Sequence, residues 1–436
     1  MARHAPANFK TMPPIPNIMR RFIVLFVIGM MAQPALAQDV VVSPEGPVRS
    51  LGEAIRQAPR GGQIIVREGV YREPTIVVDK PVMIVGEGEV VLDGEGDRQL
   101  MLVTADSVTV RGLVFRNVGV SFVEDRAAIK VDEVWQCRIE DNRFENTFFG
   151  IYLAKTAQCR VAGNVLEGAG PTETQSGNGI HLWYSKEIEV ENNIIRGHRD
   201  GIYFEFVEDS RVANNLSEAN LRYGLHFMFS DRCQYHDNVF VDNDAGVAVM
   251  YTKHVEMIGN RFERNWGSAS FGLLLKDITD SRVEDNVFVK NTVGIHAEGT
   301  NRVRFERNDF LENGWAVKIM ANALDNVFTR NNFVANTFDV ATNSRRHYSR
   351  FEENFWDNYE GYDLDRDGYG DVPFRPVRLF SLIVERNEPS LLLLRSFFID
   401  VLDAAERVIP SLTPETLADE KPVMRRISNG ELSMAN

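Results

Sequence analysis

Three side chains in the middle of the sequence offer a soft donor set. His226 and Met228 lie two positions apart, and Met250 follows in what reads as the same phase of a repeat. An imidazole with two thioethers suits Cu(I) and serves Mg²⁺ or Ca²⁺ poorly. If the step from Met228 to Met250 is one turn of that repeat, the two methionines are neighbours on adjacent rungs. The competing reading is that exposed methionine and aromatic side chains pack under loops or against a partner. A second constellation lies near the end of the chain, where "DLDRDGYGD" sets Asp363, Asp365, Asp367 and Asp371 at positions 1, 3, 5 and 9 with Gly368 at position 6. That spacing wraps oxygen ligands around Ca²⁺. Position 12 is Phe374 instead of the expected bidentate Glu. The alternative is therefore an acidic turn over the last coil, with Trp356, Tyr359 and Tyr362 packed on it.

The elements that must hold these residues are repeats. From about residue 101 to 360 one phrase recurs, as "CRIEDNRF", "CRVAGNVL", "SRVEDNVF" and "VRFERNDF". Eleven copies align on Leu113, Asn142, Asn164, Asn193, Asn215, Asn238, Asn260, Asn286, Asn308, Asn331 and Asn354. Most steps between them are 22 or 23 residues, and a period of this size means a solenoid. Between copies runs a Gly-aliphatic-x-apolar segment, as at Gly150, Gly179, Gly201, Gly224, Gly246, Gly272 and Gly294. These segments are too short and too punctuated by Asn and Gly for paired helices. Three short strands per coil predict an all-β fold, a right-handed parallel β-helix of about eleven 22–23-residue coils with asparagines stacked along its axis.

Alternation assigns faces to the Gly strands. The first and third residues after each Gly are apolar and point inward, so the second and fourth point out. The outward strip reads Lys130, Tyr152, His181, Tyr203, His226, Ala248, Leu274, His296 and Lys318 at one position, with Trp183, Glu205, Met228, Met250, Glu298 and Met320 at the other. The longer intervals insert "VGVSFVEDR", "GAGPTETQSGN" and "NWGSAS" at one corner, where loops would wall the strip. His198, His236, His254 and His347 fall at turns or strand ends and read as surface residues. Cys137, Cys159 and Cys233 share an inward phase. The first two are one rung apart, within disulfide reach, although stacked parallel side chains are poorly angled for a bond.

Of 436 residues, 44% are apolar and 25% charged, as in a folded protein. The net charge of −14 argues against nucleic acid or anionic lipid as partner. Residues 1–37 read as an export signal, with Arg3, Lys10, Arg20 and Arg21, an apolar run from Phe22 to Met31, and Ala35-Leu36-Ala37 before the cleavage point. No later stretch has the roughly 20 apolar residues of a membrane span. An N-terminal cap and first coils should occupy 38–100, the repeats 101–360, and an acidic turn and linker 361–388. Residues 389–410 have helical apolar spacing at Leu391, Leu394, Phe398, Val401 and Leu402, and 411–436 read as a loose tail.

The opening "SLGEAIRQAPRGGQIIVREGVYRE", the Asn-x-Phe coils and the ending "ENFWDNYEGYDLDRDGYGDVPF" resemble the NosD family over nearly the whole mature chain. The resemblance implies a periplasmic accessory protein and not an enzyme. Such a protein binds or hands over copper, working with an ABC permease and ATPase, a copper chaperone and nitrous oxide reductase during assembly of the reductase's copper centres. The apolar face of the C-terminal helix could fold back along the rod, lie in the membrane interface or dock on a membrane partner; with the resemblance, docking on the permease is the expectation. The residues by themselves keep two other readings open. One is a carbohydrate-binding or carbohydrate-cleaving β-helix, with Trp183, Tyr152 and Tyr203 stacking sugars and Glu205 as an acid, although the outward carboxylates are isolated where such chemistry needs a pair. The other is an adhesin-like rod.

Overall fold

The structure, a computed structural model, describes residues 39–402 and 417–428 apart from 122, 268–269, 345–347, 395 and 400. The export signal and His347 lie outside the described residues. From Val40 onward the chain winds into a right-handed parallel β-helix of about 14 turns. The eleven expected coils form its greater part, and the added turns lie mostly before residue 101, where strands such as Ile76–Val78 pair with Met101–Val103 without the Asn phrase. One strand per coil builds a twelve-stranded parallel ladder. The short strands on either side of each Asn build the larger second sheet.

The Gly strands stay in one register, with Tyr203 beside His226, Glu205 beside Met228, and Met228 beside Met250. Their inward residues, among them Ile202, Phe204, Leu225, Phe227, Val247 and Val249, are buried. Phe262, Phe288, Phe310, Phe333 and Trp356 stack down the core with ring centroids 4.6, 4.9, 4.9 and 4.1 Å apart. That spacing is set by the ~4.8 Å between strands.

The asparagines form the predicted line. Asn260 Oδ1 accepts from Asn238 N and Nδ2, both at 3.0 Å, while its own Nδ2 donates to Tyr235 O at 2.9 Å and Asn286 Oδ1 at 3.0 Å. The preceding residue is left-handed and turns the chain, and at Gly259 (φ 69°) a Cβ would sit 2.4 Å from Asp237 Oδ1. A second line was not foreseen. Asn220, Asn243, Asn265, Asn291, Asn313 and Asn336, each five positions after its counterpart, are bonded coil to coil in the same way. His198 stands at the head of this line. Its N–H donates to Asn220 Oδ1 at 3.1 Å and its ring is fully buried, which corrects the surface assignment. Burial drops its pKa to about 4.

Cys137 and Cys159 are joined by a disulfide between adjacent coils, with Cα atoms 4.5 Å apart. Cys233 is a buried free thiol that burial pushes up to about 12.

The C-terminal region departs most from expectation. The supposed linker contains a helix, here α2 (Leu379–Arg386) after the short N-terminal α1 (Leu51–Gln57), and its Phe380 and Val384 bury against Phe338 and Trp315. Residues Glu388–Leu393 then form a 3₁₀ turn where a continuous α-helix was expected. The tail is not loose over 417–428. Asp419 and Val423 pair with Phe351 and Phe355 as a further partial rung. The Asp419 carboxylate ends the first asparagine line by accepting from Asn354 N, Asn354 Nδ2 and Trp356 Nε1, each at 3.0 Å.

Candidate functional site

The outward strip is built on the central strands Ile180–Trp183, Asp200–Glu205, Tyr223–Met228 and Ala245–Lys253. Lys130 Nζ lies 5.1 Å from the Tyr152 ring, and Tyr152 to His181, His181 to Tyr203 and Tyr203 to His226 follow at 4.4, 4.7 and 4.9 Å. The strip is less open than predicted. His226 is only 7% exposed, and Tyr152 and His181 are buried with it. The corner segments account for this: Phe149 packs edge-on against Tyr152 and His181, and Asn178 of the long insertion bonds His181 Nδ1 through Nδ2 at 3.0 Å. Burial, with Arg199 nearby, lowers the His181 pKa to about 3, and burial raises Tyr203 to about 12.

His226 is held by a partly buried ion pair. Arg222 grips the Asp200 carboxylate with Nε at 2.8 Å and Nη2 at 2.5 Å, and the same Nη2 lies 3.1 Å from His226 Nδ1. Asp200 Oδ2 is 3.6 Å from Nδ1. Burial raises the Asp200 pKa, but hydrogen bonding to His226 and Arg222 outweighs it and holds the carboxyl below the usual range. The other ring nitrogen, Nε2, is buried with no hydrogen-bond partner among the described residues. Met228 and Met250 are half-buried on the same outward face, and Tyr203 Oη approaches Met228 Sδ at 3.8 Å. The structure thus gathers the three predicted copper residues on two adjacent strands. They form an N/S/S donor patch.

The residues that directly follow this strip form a feature the sequence reasoning missed. Tyr184, Phe206, Phe229 and Tyr251 have φ between 47° and 56° and stack at 4.6, 5.1 and 5.0 Å. Bulky residues rarely adopt that conformation. The signal was legible as an aromatic one place beyond the outward strand end in four successive coils.

In the acidic turn, Asp363, Asp365 and Asp367 bring carboxylate oxygens within 4.8 Å of one another. Asp371 does not join them, because its Oδ2 accepts from Leu364 N at 2.7 Å. Asp363 accepts from Gly368 N at 3.0 Å, and Gly368 (φ 93°) makes the turn. Phe374 packs on Trp356 at 5.0 Å and on Tyr359, while Tyr362 stays exposed instead of joining that cover.

The chain is thus a parallel β-helix that carries a soft-donor patch on its outward strip. The fold recurs in solved structures. A Yersinia enterocolitica family 28 exopolygalacturonase aligns with TM-score 0.55 at 11% identity over 73% of this chain and 78% of its own. PfbA, a surface adhesin of Streptococcus pneumoniae, aligns with TM-score 0.54 at 10% identity over 67% and 87%. Residues 168–361 match the family described as periplasmic copper-binding protein (NosD), and 75–235 match a family of unknown function, DUF1565. Two proteins named probable ABC transporter binding protein NosD are similar over 80% of this chain. The one from Pseudomonas aeruginosa is 29% identical over 85% of its length, and the one from Stutzerimonas stutzeri is 27% identical over 84%. Together these matches support the NosD family as the one this chain resembles over most of its length.

Proposed function

We propose that this protein is a periplasmic accessory subunit that holds Cu(I) at His226, Met228 and Met250 and passes it on during assembly of the nitrous oxide reductase copper centres. It works with an ABC permease and ATPase and receives copper from a chaperone. The observation that carries the reading is the unpartnered, buried Nε2 of His226 beside two thioethers in strand register. Neutral thioether and imidazole donors favour Cu(I). A metal held at Nε2 would have the Asp200 carboxylate behind the ring, 3.6 Å from Nδ1. This is the carboxylate behind a histidine ligand that orients many metal sites.

A competition titration against a colorimetric Cu(I) chelator tests the assignment. The Met228→Ala, Met250→Ala double variant should lose Cu(I) affinity by about tenfold or more, since two of three donors are gone. Unchanged affinity would remove this site. The carbohydrate reading gains nothing here, because the Tyr152 and Tyr203 rings are already packed against His181.

The segment after α2 presents Leu392 at 92% and Phe397 at 80% exposure, with Phe398 and Val401 also exposed. Contiguous exposed apolar surface marks an interface, and the ABC permease is the partner we assign to it. A Leu392→Glu, Phe397→Glu variant should stay folded and no longer co-purify with the permease and ATPase. Retained co-purification would reject the docking surface.

A further inference from the structure

The corner that follows the Gly strands, at the opposite end from the insertions, holds a pocket of about 370 Å³ lined by Trp135, Tyr184 and Lys186. Trp135, Ala157, Lys186 and Glu208 run along this corner in register, one per coil. Ala157 is the one small side chain of the four, so Trp135 and Lys186 stand two strand spacings apart, ~9.6 Å, across a gap. Less the thickness of the indole, that gap admits one six-membered ring lying flat. The Trp135 ring turns its face into the gap, because the Lys186 ammonium lies over it at 5.7 Å from the centroid. That distance is near the outer limit of a cation–π contact, and the ammonium is loosely held.

The groups left free in this pocket are of one kind. Lys155 is taken by Glu133 at 2.7 Å, and Glu208 by Arg232 at 2.6 Å. The Thr156 and Ser185 hydroxyls bond each other at 3.1 Å. Lys186 is exposed and has no carboxylate partner among the described residues, and Tyr184, 52% exposed, has no acceptor there for its hydroxyl. Trp135 is 53% exposed and stacks on no other described ring, whereas Tyr184, Phe206 and Phe229 spend their faces on one another. What remains is one open aromatic face with two hydrogen-bond donors, one of them charged. An apolar occupant would desolvate the ammonium without pairing it. A ring with an apolar face and a carboxylate on its rim uses all three groups.

We propose that this pocket binds an acidic sugar of the hexuronate type, its ring stacked on Trp135 and its carboxylate held by Lys186 and Tyr184. The ammonium moves from the indole face to the carboxylate as the ring takes its place. A free hexuronate and a hexuronate unit of a polysaccharide share this chemistry. The pocket lies apart from the outward strip, whose Tyr152 and Tyr203 rings are covered by His181, and it stands independently of the Cu(I) assignment.

The test is isothermal titration calorimetry of the mature protein at low ionic strength. The probes are tetragalacturonate, tetramannuronate, the two monomers, and the methyl ester of tetragalacturonate, which keeps the rings and removes the charge. At least one acidic probe is expected to bind, with the ester about tenfold or more weaker than its parent acid; a monomer that binds as well as its tetramer marks a free sugar as the ligand, and a weaker monomer marks a polysaccharide. Trp135→Ala should abolish binding, Lys186→Gln should weaken it about tenfold, and Tyr251→Ala, three coils along the corner from Tyr184, should leave it unchanged. Binding of none of the acids, equal binding of the ester, or full binding by Trp135→Ala would overturn the site. Loss of binding in Tyr251→Ala would place the ligand on the aromatic column and overturn it as well. If Trp135→Ala fails to fold, the exposed Lys186→Gln decides, and undiminished binding there would overturn the proposal.

Discussion

Replacing Asn260 with alanine is expected to destabilise the protein by about 4 kcal/mol, near the top of the range for a single substitution. The side chain is fully buried and bonded at both ends. Without it, Asn238 N and Nδ2 lose their acceptor, and Tyr235 O and Asn286 Oδ1 lose a donor. Each buried group left unpaired costs about 1–3 kcal/mol, and partial relaxation keeps the total below the simple sum. The coils above and below close over the line, so solvent cannot replace the bonds. Urea unfolding followed by circular dichroism measures the loss. A change below about 1 kcal/mol would show that stacked strands and phenylalanines carry the stability with little help from the amide line.

The second large effect concerns the end of the solenoid. Asp419→Ala should cost about 3 kcal/mol, because Asn354 N, Asn354 Nδ2 and Trp356 Nε1 share its Oδ2, and Lys421 N donates to Oδ1 at 3.1 Å. A charged acceptor serves three donors better than a neutral one. Asp419→Asn should therefore fall between alanine and the parent. Removing residues 417–436 should be more severe still, since it uncovers Trp356 and Phe351 along with the open edges of the last coil. Such edges invite pairing with another chain. The truncated protein is expected to unfold at lower urea and to aggregate. A soluble truncation of parental stability would show that the last coil needs no cap. For the same reason, point changes at Leu392 and Phe397 test docking more cleanly than deletion of the whole C-terminus.

The fold was legible because its determinants are local and repeated. An Asn at the same phase of every coil, a Gly strand between copies and strict inward alternation state the period, the faces and the neighbours of Met228. The second asparagine line was equally legible, five positions on at the same spacing, outside the Phe-containing phrase that marks the first. Burial of the strip was not legible. It depends on the long insertion bringing Asn178 to His181, and on Arg222 reaching back one coil to Asp200. The cap was hidden for another reason: Asp419 lies 65 residues after Asn354 and carries no repeat phrase. Helix α2 is eight residues long, too short for its period to stand out. For the two stacked cysteines, phase placed them on adjacent coils, and only the 4.5 Å between Cα atoms shows that they come close enough to bond. In the acidic turn, spacing predicted four ligands. The structure brings three together because Asp371 is engaged by the backbone of Leu364.

The central claim is that one imidazole and two thioethers hold Cu(I) on the Tyr223–Met228 and Ala245–Lys253 strands. X-ray absorption spectroscopy at the copper edge, on the protein loaded with one equivalent of Cu(I) under reducing conditions, reads those ligands directly. A first shell of one nitrogen and two sulfurs, reduced to nitrogen and oxygen scatterers in the Met228→Ala, Met250→Ala variant, is the predicted result. A shell without sulfur in the parent protein, or one that the double substitution leaves unaltered, would contradict it.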